Sequence, residues 1–209
     1  MRITQAEKAE TRRRILSAAG SLFGRTGWRA VTTRDIADRA GIAAGTLFNY
    51  FPTKESLAVA LVAEATERGG VEFARRRRSD ARLDEDLSAF IWAGLRLLRP
   101  VRGAAEGFAG ALGFSEAAAP LRDTHLETVC GLLRAHGADP DAEPMTLQLY
   151  WTMYVGIVAR WAADDSHNQE DTMAVLDQAL RMFTGTVRRT HEAHPRGTRS
   201  PVPTAGRRS

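Results

Sequence analysis

The sequence predicts an all-α protein, on three observations. Apolar residues recur at spacings of three and four along nearly the whole chain, which is the period of a helix with one buried face. No segment shows the sustained alternation of apolar and polar residues that a half-buried strand requires. The length of 209 residues and the hydrophobic content of 44% allow one large core, or a small domain joined to a larger one.

Two capping boxes define the first helices. Thr4 with Glu7 predicts the start of a helix that runs to about residue 25, and Thr32 with Asp35 predicts the start of a second, shorter helix. In each pair the hydroxyl and the carboxylate satisfy backbone N–H groups that a helix start leaves free. Glycines follow both helices, as expected of helix ends.

A third helix is predicted over residues 44–50. It ends at Phe51, because the residue before a proline disfavours helical geometry. Thr53 is then the N-cap of a fourth helix that reaches about residue 78, although Gly69 and Gly70 predict a weakened or kinked stretch within it. Further helices are predicted at about 83–99, 102–112, 120–136, 144–163 and 169–190.

The charge distribution is uneven and favours a nucleic acid as partner of the N-terminal part. Residues 1–54 hold ten Lys/Arg against four Asp/Glu, whereas residues 55–191 hold 15 against 20. The last stretch, 192–209, is rich in Pro, Gly, Ser and Arg and predicts a disordered basic tail. We divide the chain accordingly into a basic N-terminal part (1–53), an acidic part (54–191) and this tail.

The chain is expected to be cytoplasmic and without a membrane partner. Its single cysteine, Cys130, excludes an internal disulfide framework and favours a reducing compartment. No basic-then-apolar signal opens the sequence, and no apolar run approaches the length of a membrane span.

The second and third helices, joined at Gly41, form a helix-turn-helix pattern, in which the second helix of the pair enters the major groove of DNA. The pattern alone also occurs in purely structural bundles. Leu47 and Phe51 are predicted to anchor the third helix, and Lys54 to face a phosphate from the start of the next helix. The residues left to approach DNA are Ala44, Gly45, Thr46, Phe48, Asn49 and Tyr50. Among them, Asn49 is suited to pair with adenine, Thr46 to touch a phosphate or a thymine methyl, and Tyr50 to reach a phosphate.

Residues 11–61, TRRRILSAAGSLFGRTGWRAVTTRDIADRAGIAAGTLFNYFPTKESLAVAL, resemble the tetracycline-repressor (TetR) family of bacterial transcription regulators. The resemblance implies that Thr33 touches a phosphate, that Arg34 reaches a guanine edge, and that Tyr50 and Lys54 clamp the backbone. It places Thr46 and Asn49 at base-reading positions. It also implies that residues 1–53 form the DNA-binding domain and residues 54–191 the ligand-binding and dimerisation domain. The chain departs from the family at two places. Ala43 and Ala44 stand where many members carry Ser and Lys, and Phe48 stands where most carry Tyr. We expect these departures to affect the operator preference and the affinity, and to leave the fold intact.

A heptad-like seam in the last two helices predicts a homodimer. Its apolar residues step by three and four, and the earlier of the two helices is also apolar off the seam, which indicates burial on more than one side. The family resemblance implies the same two-fold, four-helix interface, while a wholly intramolecular core is the alternative. The predicted interface residues are Leu147, Tyr154, Val158, Trp161, Met173, Leu176, Leu180, Phe183 and Val187.

A pocket for a small-molecule effector is predicted between the fifth and eighth helices. Its candidate wall residues are aromatic, although aromatic residues at helical spacing also serve as plain core: Trp92, Phe108, Phe114, Trp151 and Tyr154.

The expected function is a dimeric regulator, in this family most often a repressor, that an effector releases from a palindromic operator on double-stranded DNA. No catalytic trio, metal-ligand spacing or phosphate-binding glycine loop is present, so we expect no enzyme activity, no metal and no cofactor. The alternatives are a DNA-binding protein that ignores small molecules and a carrier or enzyme without DNA affinity. The effector, the operator sequence and the regulated genes are not encoded in any pattern of the sequence.

Overall fold

The computed structural model describes residues 4–104, 116–139 and 144–193. Within these ranges the chain forms eight α-helices and three short 3-10 segments, with no strand, which confirms the predicted all-α class. The helices are α1 (Gln5–Thr26), α2 (Thr33–Ala40), α3 (Ala44–Tyr50), α4 (Lys54–Arg76), α5 (Leu83–Leu98), α6 (Ala119–Ala135), α7 (Pro144–Ala162) and α8 (Glu170–Ala193).

Both predicted capping boxes are present. Thr4 Oγ1 accepts a hydrogen bond from the backbone N–H of Glu7 at 3.2 Å, and the Glu7 carboxylate accepts one from the Thr4 N–H at 2.8 Å. Thr32 and Asp35 repeat this exchange at the same two distances. The Thr4 N–H and hydroxyl lower the pKa of Glu7, and the Thr32 hydroxyl and N–H lower the pKa of Asp35, because each of these hydrogen bonds favours the charged carboxylate. The starts of α1 and α2 are thus fixed by local sequence.

The N-terminal helices α1, α2 and α3 share a small apolar core. α2 ends at Gly41, whose φ of 66° lies in the left-handed region that glycine adopts without steric cost. α3 ends at Phe51, whose extended backbone (φ −139°) agrees with its position before proline. The main buried side chains of this core are Ile15, Leu16, Ala19, Phe23, Val31, Ile36 and Leu47.

α4 runs unbroken through Gly69 and Gly70. The expectation that these glycines weaken or kink the helix stays a prediction. Gly69 lies where α4 crosses α5. A Cβ added to Gly69 would lie 2.8 Å from the backbone nitrogen of Gly94 and 2.9 Å from its Cα. The missing side chain lets the two backbones approach, so the glycine serves helix packing.

A 3-10 segment, Arg99–Ala104, follows α5 and contacts both halves of the molecule. On one side, a Cβ on Gly24 of α1 would overlap the carbonyl oxygen of Pro100. On the other side, Arg102 Nε donates to the carbonyls of Trp161 and Ala162 at 3.2 and 3.3 Å, at the end of α7. The helix predicted at 102–112 is therefore a 3-10 turn up to Ala104, and its remainder lies outside the described residues.

The seam of α7 and α8 is internal to the chain. Leu147 is half-buried and Met173 is 46% exposed, but the other predicted interface residues are buried within this single chain. This corrects their assignment to the dimer interface, because a side chain enclosed by its own subunit has no surface left for a partner. The corrected residues are Tyr154, Val158, Trp161, Leu176, Leu180, Phe183 and Val187.

At its end, α8 continues to Ala193, past the start of the tail predicted at 192–209; the rest of that tail lies outside the described residues. The division of the chain at residues 53 and 54 coincides with Thr53, the N-cap of α4, and stays a prediction. Among the described helices, none is both long and apolar enough to cross a membrane.

Candidate DNA-binding surface and C-terminal cavity

Helix α3 is anchored on one face and open on the other. Leu47 is fully buried and Phe51 is 5% exposed, whereas Phe48 is 47% exposed. Ala43 occupies the N-cap position of α3 without a side-chain hydrogen bond to the first turn. A Ser, Thr, Asp or Asn cap contributes about 1 kcal/mol, so this seven-residue helix depends on its buried residues for its position.

The residues predicted to contact DNA lie on the outer side of α2 and α3. Arg34, Ala44, Gly45, Phe48 and Asn49 are exposed, and Thr33, Thr46 and Tyr50 are half-buried. Gly41 lies between the two helices, and we call their exposed side the α2–α3 face. Its contacts with DNA stay predictions.

Lys54 has contacts that the sequence did not suggest. Its Nζ donates to the carbonyl oxygens of Trp28 and Val31, at 2.5 and 2.8 Å, and lies 4.5 Å from the centre of the Trp28 ring. The ammonium thereby holds the turn between α1 and α2 against the start of α4. A phosphate contact by Lys54 stays a prediction and would use the N–H that these two bonds leave.

We expect Lys54→Met to lower the free energy of unfolding by about 1–3 kcal/mol without DNA, because two partly buried carbonyls lose a charged donor. Urea denaturation followed by circular dichroism measures this. Lys8→Met is the matched control, since Lys8 is the other lysine of the chain and is exposed on α1. Equal stability of the two variants would show that the contacts of Lys54 contribute nothing to folding.

A second contact ties the N-terminal helices to α4. Arg12 on α1 forms an ion pair with Glu64 on α4, at 2.8 Å, and its guanidinium lies 5.6 Å from the centre of the Phe51 ring. Both charged side chains are 45% exposed, so the pair itself contributes little free energy. Its effect is to orient α1 relative to α4.

The C-terminal part contains an open cavity of about 870 Å³ between α4, α5 and α6. Phe73, Phe90 and His125 contribute rings to its lining, and α4 contributes small residues such as Ala63 and Gly70. The lining residues are Ala63, Thr66, Glu67, Gly70, Val71, Phe73, Ala74, Arg77, Phe90, Pro120, Leu121, Thr124, His125 and Thr128.

The aromatic residues predicted as pocket walls are placed differently. Trp151 and Tyr154 are buried behind His125, with ring centroids 5.8 and 4.1 Å from the imidazole, and they do not line this cavity. Trp92 is half-buried on α5 and also lies outside the lining. Phe108 and Phe114 lie outside the described residues. Trp92, Trp151 and Tyr154 therefore do not line this cavity. Their role as walls of a pocket between the fifth and eighth predicted helices stays a prediction.

Sequence reasoning missed His125. The spacing of Leu121, His125, Val129 and Leu132 places this histidine on the buried face of α6, and that spacing is the signal that could have identified it. His125 is 2% exposed, and burial lowers its pKa from 6.5 to about 3, so the imidazole is neutral. Its Nε2 lies 3.1 Å from the hydroxyl of Tyr150.

One buried carboxylate joins the three helices that wall the cavity. Asp86 on α5 is 2% exposed, and its Oδ2 lies 2.8 Å from both Arg77 at the end of α4 and His136 at the end of α6. A buried carboxylate needs such partners, because removal from water without them costs several kcal/mol. Among the described residues, no group of three His, Cys, Asp or Glu side chains is placed to hold a metal.

Residues 15–61 match the family model described as bacterial regulatory proteins, tetR family. This segment contains α2 and α3 and reaches into α4. The family model therefore covers the α2–α3 face and does not cover the C-terminal cavity.

Curated relatives and solved structures extend the likeness. The chain is 27% identical over 182 residues to the HTH-type transcriptional repressor KstR of Mycolicibacterium smegmatis, covering 85% of this chain and 88% of that one. It is 46% identical to KstR of Rhodococcus jostii over 59 residues, which are 28% of each chain. The match therefore spans less than a third of that relative's length. The structure resembles a TetR protein of Acinetobacter baumannii AYE solved with minocycline, with a TM-score of 0.63, 19% identity and coverage of 90% and 98%.

Proposed function

Because the chain belongs to the TetR family of bacterial transcriptional regulators, we propose that it represses transcription as a homodimer that a small-molecule effector releases from a palindromic operator. The observation that carries the proposal is the α2–α3 face. There, Asn49 and Arg34 are exposed beside small residues that let the backbone approach DNA closely.

Base recognition is assigned to Arg34 and Asn49, and positioning to residues that meet phosphates. An arginine pairs with the O6 and N7 of guanine, and an asparagine with the N6 and N7 of adenine. Thr33, Tyr50 and Lys54 are assigned to the phosphate backbone, which fixes register without reading sequence. Thr46 lies between these groups on the same helix.

The cavity between α4, α5 and α6 supports effector binding. Its volume and its largely apolar lining are typical of a small-molecule site, and the resembling structure from Acinetobacter baumannii holds minocycline. α4 forms one wall of the cavity and also begins beside the DNA-binding helices. A ligand that shifts α4 would therefore change the spacing of two α3 helices across a dimer.

The outer faces of α7 and α8 are the proposed dimer contact. Met145 and Leu149 on α7, and Val175 and Met182 on α8, are between 47% and 65% exposed. α7 has no charged residue from position 144 to 159, and Gly156 adds a small residue to its exposed stripe. An outer face that is this poor in charge is typical of a helix covered by a partner.

We expect Asn49→Ala and Arg34→Ala each to weaken binding to the preferred operator by about 1–3 kcal/mol per half-site, and to weaken binding to a scrambled duplex little. The operator is first obtained by selecting bound sequences from random duplex DNA. Fluorescence anisotropy over a salt series then measures both duplexes, and compounds are screened for release of the operator.

The matched control is Arg13→Ala, which removes one exposed arginine of α1 that pairs with Glu10. If Asn49→Ala and Arg34→Ala lose equal affinity for both duplexes, these residues contact the DNA backbone, and base reading must come from Thr46, Phe48 or DNA shape. Failure to select any sequence would contradict the proposed function.

A further inference from the structure

The cavity between α4, α5 and α6 has a mainly apolar wall. Phe73 and Phe90 lie together, with ring centroids 5.7 Å apart, and Leu121 of α6 adds a further apolar residue to the lining. Ala63 and Gly70 on α4 leave the space that a ligand would fill. Such a wall binds a ligand chiefly by removing apolar surface from water.

The charged groups of this wall do not favour an ionised ligand. Among the described lining residues these groups are Glu67 and Arg77. The Arg77 guanidinium is held by Asp86, with Nε and a terminal nitrogen 3.0 and 2.8 Å from Oδ2. An anionic ligand would compete with Asp86 for that cation and would approach the exposed carboxylate of Glu67. An anionic ligand would therefore lose hydration without gaining a partner. A cationic ligand would find only Glu67, whose exposed carboxylate attracts it weakly because water screens the charge.

The polar groups of the wall's interior are neutral. His125 is enclosed by Phe90, Tyr150, Trp151 and Tyr154, with ring centroids 4.1–5.8 Å away. Its Nε2 is paired with the Tyr150 hydroxyl, whereas its Nδ1 is buried and makes no hydrogen bond within the described residues. A buried nitrogen without a hydrogen bond lowers the stability of the fold, and a ligand oxygen that bonds to it would restore this stability.

Building on the proposed role of this cavity as the effector site, we propose that its ligand is an uncharged, mainly apolar molecule whose hydroxyl or carbonyl oxygen bonds to His125. When the Tyr150 hydroxyl donates to Nε2, Nδ1 carries the proton and donates to the ligand. When Nε2 donates to Tyr150, Nδ1 accepts. A ligand hydroxyl satisfies either tautomer, whereas a carbonyl satisfies the first alone.

The test measures displacement of the fluorescent neutral probe N-phenylnaphthylamine from the full-length protein. Decanol, decanoate and decylammonium are the competitors, because they share one carbon chain and differ in charge. We expect decanol to compete about tenfold more strongly than either ion. Competition by decanoate or decylammonium that equals or exceeds that of decanol overturns the proposal of an uncharged ligand. Gly70→Leu, which places a side chain in the cavity, should weaken the binding of the probe; unchanged probe binding places the ligand elsewhere.

The role of His125 is tested with His125→Phe, which keeps a buried ring and removes the hydrogen bond. Decanol affinity should fall about fivefold while probe affinity, which also reports that the cavity is intact, stays unchanged. Thr128→Val is the matched control, because the Thr128 hydroxyl lines the same cavity but already donates to the carbonyl of Thr124. Unchanged decanol affinity in His125→Phe overturns the assignment to His125.

These measurements need no DNA, so they separate the ligand class from the proposed function. Decanol that displaces the probe but leaves the selected operator bound would support the ligand class and contradict release by occupancy of this cavity. Operator release by a compound that does not displace the probe would locate the effector outside the cavity and overturn the proposed ligand class for the effector.

Discussion

Gly69→Ala is expected to destabilise the protein by about 1–3 kcal/mol, despite the better helix propensity of alanine. The added Cβ would lie 2.8–3.0 Å from backbone atoms of Gly94 and Ala93. Backbone atoms of α5 cannot rotate aside as a flexible side chain would, so the two helices must separate along their crossing. Thermal unfolding should show a fall in Tm of several degrees, given about 2–4 °C per kcal/mol for a chain of this size.

The neighbouring glycine supplies the control. A Cβ on Gly70 would meet the Phe90 ring at 3.8 Å, an ordinary contact, and both glycines lie in the same turn of α4. Gly70→Ala should therefore keep or raise the Tm, because alanine is favoured over glycine in a helix by about 1 kcal/mol. Similar Tm changes in the two variants would mean that α4 and α5 do not cross closely at Gly69.

Leu180→Asp is expected to unfold the subunit, whereas Leu149→Asp should separate a dimer of folded subunits. Leu180 is 1% exposed, so its replacement buries a carboxylate without a partner, at a cost of several kcal/mol. Leu149 is 56% exposed, and the aspartate would be hydrated in a monomer. Circular dichroism reports the fold, and light scattering reports the mass in solution.

Met182→Asp should behave like Leu149→Asp, since Met182 is 65% exposed on α8. Asp171→Leu, which adds an apolar residue to an exposed position at the start of α8, is a control that should keep the mass of the wild type. A folded dimer in Leu149→Asp and Met182→Asp would remove these outer faces from the interface. A folded Leu180→Asp variant would contradict the internal seam.

The sequence alone predicted the helix starts and ends that depend on residues close together in the chain. The capping boxes at Thr4 and Thr32 and the stop before Pro52 depend on residues within one turn, and the structure confirms them. Helix α3 was likewise predicted at its observed bounds, 44–50. The contacts of the α2–α3 face with DNA are a separate matter and stay predictions.

Distant contacts could not be predicted in this way. The acceptors of Lys54 are more than 20 residues away along the chain, in a turn without regular periodicity. The α7–α8 seam has a period that serves an internal pair of helices as well as a dimer, so spacing alone could not distinguish them. The cavity depends on which helices enclose it, and its histidine was visible only as one position on an apolar face.

The Arg99–Ala104 segment has a mechanical consequence. The DNA-binding helices continue into α4, and α1 also rests on Pro100, where a Cβ on Gly24 would overlap the backbone carbonyl. Arg102 fixes this same segment to the end of α7. The Arg99–Ala104 segment therefore links the end of α7 directly to α1. We expect a displacement of the end of α7 to reach α1 through this segment, in addition to any displacement carried by α4.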